Sequence, residues 1–230
     1  MKAGGLGRWA AEFVGTALLV GIGTGAIVRA AEGGGSPQWQ IAIAWFLALA
    51  LAALAFIAWS GAHFNPGITI GLFLQGRHAR AEVLPYLGAQ FAGAFLGTYL
   101  VLELVGSAAH LGATLPAGGD LSRTFLLEFL FSAALGVSVG AASLTFAKWG
   151  RPVALLPSGV VGISTWLIGP LTGSSLNPAR TLAPAVVSAS YLGLWVYCIA
   201  PPFGATLGLA AVFAWHNARR RAAGEIPPGL

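Results

Sequence analysis

Charge is what this chain has least of. Only 8% of its 230 residues are Asp, Glu, Lys or Arg, against about 25% in a soluble domain. Too few charges are present to coat a water-facing surface, which argues against a soluble protein with a large core. Cysteine is almost missing as well: Cys198 stands alone, which excludes an internal disulfide. Its place in an apolar run gives it the role of a small buried side chain. The four histidines, His63, His78, His110 and His216, are scattered, and no nucleophile–base or metal-ligand spacing joins them. An enzyme is the least favoured class, and neither a metal nor a cofactor is expected. No cleavable leader stands apart from the first apolar run. Low-complexity sequence is confined to short Gly/Pro loops and the last dozen residues.

What is present is apolar sequence, 57% of the chain. Six long apolar segments run roughly over 8–29, 40–59, 82–106, 123–147, 153–171 and 192–215. A membrane span needs roughly 20 such residues, so the chain reads as a six-span integral membrane protein. The net charge of +5 would hint at nucleic acid in a soluble protein; here it is better read as a topology signal. Nine of the twelve Lys and Arg fall in four groups: Lys2 and Arg8; Arg77 and Arg80; Lys148 and Arg151; Arg219, Arg220 and Arg221. With all four groups on the cytoplasmic side, the positive-inside rule is met. Both termini are then cytoplasmic and the span count is even. Lipid of an inner or plasma membrane is the expected surrounding, because helical bundles suit those bilayers.

Two further apolar stretches, 66–75 and 178–188, are too short to span. Each is about ten residues, or about 15 Å as a helix, half the hydrocarbon thickness. Each opens on Asn-Pro: Asn65-Pro66-Gly67 and Asn177-Pro178-Ala179, 112 residues apart. Glu12 and Glu128 form a second pair, 116 apart, each with a small hydroxyl residue four positions on, Thr16 and Ser132. The chain therefore reads as two repeats, 1–115 and 116–230, in one channel-like domain. Three spans per repeat is odd, so the second repeat is inverted in the membrane. Such repeats set interrupted helices face to face near the midplane, where transport sites form. The small-residue pairs Gly93/Gly97, Gly136/Gly140 and Gly204/Gly208 let helices pack closely in lipid.

One Asn-Pro alone is an ordinary helix start, since Asn caps well and Pro suits the first helical position. Two copies, each after a small polar loop, say more. Each Asn oxygen can cap its own half-helix and leave the amide as an outward donor, while each helix aims its positive dipole end at the membrane centre. A water held there is turned by both amides, and the field disfavours cations and hydronium. The loops are extended backbone at membrane depth, tolerated where protein or a water-filled cavity surrounds it. The carbonyls of Gly61, Ala62, His63 and Phe64, and of Gly173, Ser174, Ser175 and Leu176, would then form two ladders of acceptors. Glu12 and Glu128 are expensive in a membrane; proton relay is one reading, and anchoring of loop N–H groups is the preferred one. Arg180, one turn into the second half-helix, would repel cations and donate to neutral oxygens.

Ser60-Gly61-Ala62-His63-Phe64-Asn65-Pro66 and Thr172-Gly173-Ser174-Ser175-Leu176-Asn177-Pro178-Ala179-Arg180 resemble the two signature loops of the aquaporin, or major intrinsic protein, family. The resemblance covers the whole chain. It implies an all-α fold: a right-handed bundle of six spanning helices and two half-helices in an inverted repeat, with a central pore in every protomer of a homotetramer. It also implies a filter of four residues, which by motif spacing are Trp45, Thr165, Ser174 and Arg180. Strict water channels of the family usually carry Phe and His at the first two positions. Trp with a small second residue looks more like the glycerol-permeable and nodulin-type plant branches, and Tyr197 looks like the nodulin-type branch. Thr181 and Ala185 look like the water-channel side. The first motif departs from Asn-Pro-Ala at Gly67, which predicts slightly looser packing where the half-helices meet.

The function implied is a passive channel for water and small neutral solutes, such as glycerol-like polyols, urea or metalloid hydroxides, that excludes protons and ions. The alternatives are a strictly water-selective channel and, in another class, a secondary transporter, which also uses inverted repeats and broken helices. Against the transporter stands the lack of an ionisable cluster to bind a coupling ion. A non-conducting structural role fits poorly with both Asn, both Glu and Arg180 in place.

Overall fold

The computed structural model describes residues 4–225; Lys2, one of the residues used to orient the chain, lies outside them. Six helices are long and apolar enough to cross a membrane: α1 (Gly5–Glu32), α2 (Gln38–Ser60), α4 (Arg80–Leu104), α5 (Leu121–Trp149), α6 (Leu155–Thr172) and α8 (Leu194–Ala222). Two are half-length, α3 (Pro66–Leu74) and α7 (Pro178–Val187). No strand occurs among the described residues. This is the all-α arrangement of six spans and two half-helices in an inverted repeat. Several helices outrun their apolar segments: α8 continues to Ala222, seven residues past the apolar stretch. An apolar run marks hydrocarbon depth, whereas backbone hydrogen bonding carries on into the headgroup region, here beneath Trp215 and its cation–π neighbour Arg219.

Close helix contacts are cut by glycine. A Cβ on Gly93 would lie 2.2 Å from the Phe13 carbonyl oxygen, and one on Gly97 would lie 2.6 Å from that of Ala17, which fixes α4 against α1. Gly204 and Gly208 do the same for α8 against α5, at 2.1 Å from the Phe129 oxygen and 2.0 Å from that of Ala133. In lipid no hydrophobic force drives helices together, so backbone approach of this kind carries the packing. Large apolar side chains such as Leu84, Leu104 and Phe203 face outward, and so does Cys198, expected from its apolar run to be buried.

The half-helices pack on different long helices. The helix α3 lies on α8, where Gly67 meets Pro202 and Gly71 meets Thr206 and Leu209. The helix α7 buries Ala179 and Ala183 with Val20 of α1 and Ala94 of α4. Both long helices that lead into the half-helices stop at a glycine in the left-handed region: Gly61 (φ 88°) after α2 and Gly173 (φ 81°) after α6. Beyond each, alternate residues also take positive φ: Ala62 and Phe64 in one loop, Ser174 and Leu176 in the other. Non-glycine residues reach that region at a cost of about 1 kcal/mol or more each, so these loops need external anchors.

Candidate functional site

The anchors are the two carboxylates. Glu12 accepts hydrogen bonds at Oε1 from the Ser60 hydroxyl (2.7 Å) and the His63 N–H (3.0 Å), and at Oε2 from the Phe64 N–H (2.7 Å) and the Gln90 amide (2.7 Å). Glu128 accepts from the Thr172 hydroxyl (2.7 Å), the Ser175 N–H (2.9 Å) and the Leu176 N–H (2.9 Å). Both side chains are fully buried. A carboxylate with its lone pairs filled by N–H and O–H donors can stay in such a place, and it fixes the strained backbone that feeds each half-helix. Thr16 and Ser132, four residues on, are buried with hydroxyls that find no partner.

Each loop has a second brace that composition and spacing did not reveal. The Tyr86 hydroxyl donates to the Ser60 carbonyl at 2.8 Å, and the Tyr197 hydroxyl to the Thr172 carbonyl at 2.7 Å. Gln90 ties Glu12 to the Thr69 hydroxyl (2.9 Å), and His63 Nδ1 meets the same hydroxyl at 3.1 Å. In the other loop Thr181 joins Ser175 (2.6 Å) to Thr114 (2.8 Å). The one signal that could have found the tyrosines is their separation of 111 residues, the same as between Gly93 and Gly204.

Where the half-helices meet, the two asparagines cross. The Asn65 Oδ1 caps α3 through the Gly67 N–H (2.8 Å), and the Asn177 Oδ1 caps α7 through the Ala179 (2.9 Å) and Arg180 (3.4 Å) N–H groups. The Asn65 amide then donates to the Leu176 carbonyl at 2.7 Å, and the Asn177 amide to the Phe64 carbonyl at 2.8 Å. One of the two hydrogens on each amide is thus taken by the opposite loop, and the amide keeps a second donor hydrogen. The carbonyls of Phe64 and Leu176 serve this cross-brace, which leaves fewer free rungs in the two acceptor ladders.

A cavity of about 350 Å³ runs past this junction. Its wall includes Asn65 and Asn177, the loop residues Gly61, Ala62 and His63, and Ser174, Ser175 and Leu176. Phe64 and Gly173 stand behind the wall. Phe64 is fully buried against Gly15, where even a methyl would collide with its ring, and Gly173 turns its carbonyl to Arg180. One end of the cavity reaches Arg77 and Phe146, at the end of the bundle that also carries Lys148 and Arg151. Towards the other end lie Trp45, Ser174 and Arg180. Arg180 is almost wholly buried. Its Nη1 donates to the Gly112 carbonyl (2.7 Å) and its Nη2 to that of Gly173 (3.2 Å), and its Cζ lies 4.7 Å over the Trp45 ring. The Arg180 Nε and the Ser174 hydroxyl have no protein partner. Thr165 is buried in α6 and is not on this wall; its carbonyl accepts from Gln38 at 2.6 Å. Among the wall residues Arg77 and Arg180 carry charge, and none is a carboxylate.

The Pro178–Arg180 and Asn65–Gly67 starts, braced by paired carboxylates around a cavity, match a known family. The family model "Major intrinsic protein" matches residues 2–213. The chain belongs to the major intrinsic protein, or aquaporin, family. It is 33% identical over 200 residues to aquaporin NIP1-3 of Oryza sativa subsp. japonica, covering 86% of this chain and 70% of that one. It is 31% identical over 207 residues to aquaporin NIP1-2 of Arabidopsis thaliana, with coverage of 86% and 70%. In three dimensions it is similar to the aquaglyceroporin from Plasmodium falciparum, with a TM-score of 0.77 at 25% identity, over 90% of this chain and 94% of that one. As an aquaporin the chain is a membrane channel and not an enzyme.

Proposed function

We propose that this aquaporin passively conducts water and small neutral solutes of the glycerol, urea or metalloid-hydroxide type, and excludes protons and ions. The observation that carries this is the crossed asparagine pair beside a cavity whose wall bears arginine at both ends and no carboxylate. Two half-helix N-termini and two guanidinium groups disfavour any cation on the path. The spare amide hydrogens of Asn65 and Asn177 donate to a solute oxygen, and the carbonyls of Gly61, Ala62, His63, Ser174 and Ser175 accept its protons. A coupled transporter needs an ionisable binding cluster, and the wall supplies none.

The constriction is made by Trp45, Ser174 and Arg180, which line the cavity, with Thr165, the fourth residue that motif spacing assigns to it, seated in α6 off the lined wall. Trp45 offers an apolar face to a carbon backbone, while the free Arg180 Nε and Ser174 hydroxyl supply polar contacts on the other side. The aquaglyceroporin likeness supports polyol passage. Glu12 and Glu128 act as loop anchors and carry no proton across. Both termini face the cytoplasm, because Arg8, Arg77, Arg80, Lys148, Arg151 and Arg219–Arg221 gather at one end of the bundle. The two repeats, 1–115 and 116–230, form one channel unit, and four such protomers assemble in the plasma or inner membrane, each with its own pore. Stopped-flow light scattering on proteoliposomes tests the solute class. Fast shrinkage in both sucrose and glycerol gradients, followed by fast re-swelling in glycerol, is expected. Fast shrinkage without re-swelling would make the channel water-selective, and no acceleration over protein-free vesicles would refute conduction.

A further inference from the structure

The outer turn of α6 is poorly supported by its own backbone. Pro170 lies inside the helix, and lacking an N–H it leaves the carbonyl four residues earlier, that of Trp166, without its helical donor. Gly169 beside it contributes no side chain. A brace from another helix falls next to that gap, on the neighbouring carbonyl. Gln38, the first residue of α2, reaches across and donates through Nε2 to the Thr165 carbonyl at 2.6 Å, a bond between residues 127 apart. The amide occupies the place a side chain on Gly169 would need: a Cβ there would lie 2.5 Å from Gln38 Nε2. The same seam continues inward, where a Cβ on Gly162 would lie 3.0 Å from the Phe46 Cβ and 3.3 Å from the Ala42 carbonyl oxygen.

Gln38, Ala42 and Trp45 stand at i, i+4 and i+7, so they share one face of α2. The helix that carries Trp45 is therefore stapled by Gln38 to the turn that carries Thr165. We propose that Gln38, seated in the gap left by Gly169, is a positioning residue that holds α2, and with it the wall residue Trp45, at a set distance from the α6 turn of Thr165, and so sets the size limit of the channel. This rests on the assignment of Trp45 to the constriction. Gln38 itself touches no solute. It acts by holding the Trp45 wall of the constriction at a fixed distance from α6.

Two variants perturb the staple in different ways. Gln38→Met keeps length and volume and removes the donor. Gly169→Ala places a methyl where the amide sits and forces it away. Each is purified at full length, reconstituted, and compared with wild type for water and glycerol permeability on the same vesicles. Both variants are expected to raise the glycerol-to-water ratio by about threefold or more, since small changes in a pocket wall discriminate by factors of this order and above, while water permeability stays near wild type. A merely structural role would lower both permeabilities together and leave the ratio fixed; that result, or an unmoved ratio in both variants, overturns the inference. Trp45→Ala, run alongside, separates the two levels of the argument. If it shifts the ratio and neither Gln38→Met nor Gly169→Ala does, the staple is refuted and the constriction stands. If no variant shifts the ratio, Trp45→Ala included, the assignment of the constriction fails and the inference with it.

Discussion

Replacing Gly67 by Ala asks whether the departure from Asn-Pro-Ala loosens the half-helix junction or tightens it. Two effects oppose each other. At a helical position, Gly→Ala stabilises by about 0.5–1 kcal/mol, because the unfolded chain loses conformational freedom. Against this, the new Cβ would lie 3.1 Å from the Pro202 Cα, 3.4 Å from its nitrogen, and 3.2 Å from the Asn65 Oδ1 that caps the same helix. These neighbours are helix backbone and a cap, so none can swing aside. Overpacking of this kind costs about 1–3 kcal/mol. The clash wins, and Gly67→Ala is expected to destabilise by about 1–2 kcal/mol. The sequence alone predicts slightly looser packing at this position; the structure shows the missing methyl's place taken by α8. Withdrawal of α3 by a few tenths of an ångström also moves the Asn65 amide from the Leu176 carbonyl, so water permeability should fall about two- to fivefold. Thermal unfolding in detergent, followed by tryptophan fluorescence, reads the first quantity, and stopped-flow water flux reads the second. Adding Pro202→Ala restores an N–H and an α8 bond towards the Cys198 carbonyl, but it keeps the Cα and nitrogen that the new methyl meets, so it should return part of the stability and leave the flux loss in place. A Gly67→Ala protein at least as stable as wild type, with unchanged flux, would refute the reasoning.

Glu12→Gln keeps the shape of the anchor but turns an NH₂ group towards donors that now face a carboxylate oxygen. One or two buried donors are left unmet, at about 1–3 kcal/mol each, so unfolding should occur at clearly lower denaturant; an unchanged midpoint would count against the anchoring role. Arg180→Val removes the buried guanidinium at the constriction and should admit cations, read as faster methylammonium or proton entry into dye-loaded vesicles, and vesicles as tight as wild type would show that Arg180 is no barrier. Tyr197→Phe deletes the hydroxyl bond to the Thr172 carbonyl and should cost about 1 kcal/mol in the same unfolding assay, with Tyr86→Phe matching it in the other loop.

The number of spans, the two half-helices and their Asn-Pro starts were legible because length and apolar composition report hydrocarbon depth directly. The ends of helices were less so: α1 begins at Gly5 and α8 runs to Ala222, in polar sequence where hydropathy is silent but the backbone stays helical. Glu12 and Glu128 stood out because a charge in a span is rare. Gln38, Tyr86 and Gln90 did not, since an uncharged polar residue in an apolar helix gives no sign of which neighbour it faces. Gly112, whose carbonyl holds Arg180, was hidden for another reason. It follows Ala109, His110 and Leu111, all with positive φ, and such a turn of ordinary residues has no pattern that names it.

The two repeats keep the same braces but not the same lateral partners, and this bears on why only one motif has lost its methyl. Tyr86/Tyr197, Gly93/Gly204 and Gly97/Gly208 all recur at 111 residues, and at that spacing Gln90 falls on Pro201. In the first repeat Gln90 gives Glu12 its fourth donor. In the second, proline can donate nothing, and Glu128 accepts three bonds. Polar linkage there passes instead through Thr181 to Ser175 and Thr114. The proline that replaces Gln90 is doubled by Pro202, and it is the Pro202 backbone that lies against α3 where Gly67 sits. Ala179, the matching residue of α7, packs instead among Val20, Ala94 and Ala183, where a methyl fits. Gly67 thus answers to α8, not to the solute, and it leaves the crossed Asn65 and Asn177 amides in equivalent positions, 2.7 and 2.8 Å from the carbonyls they face.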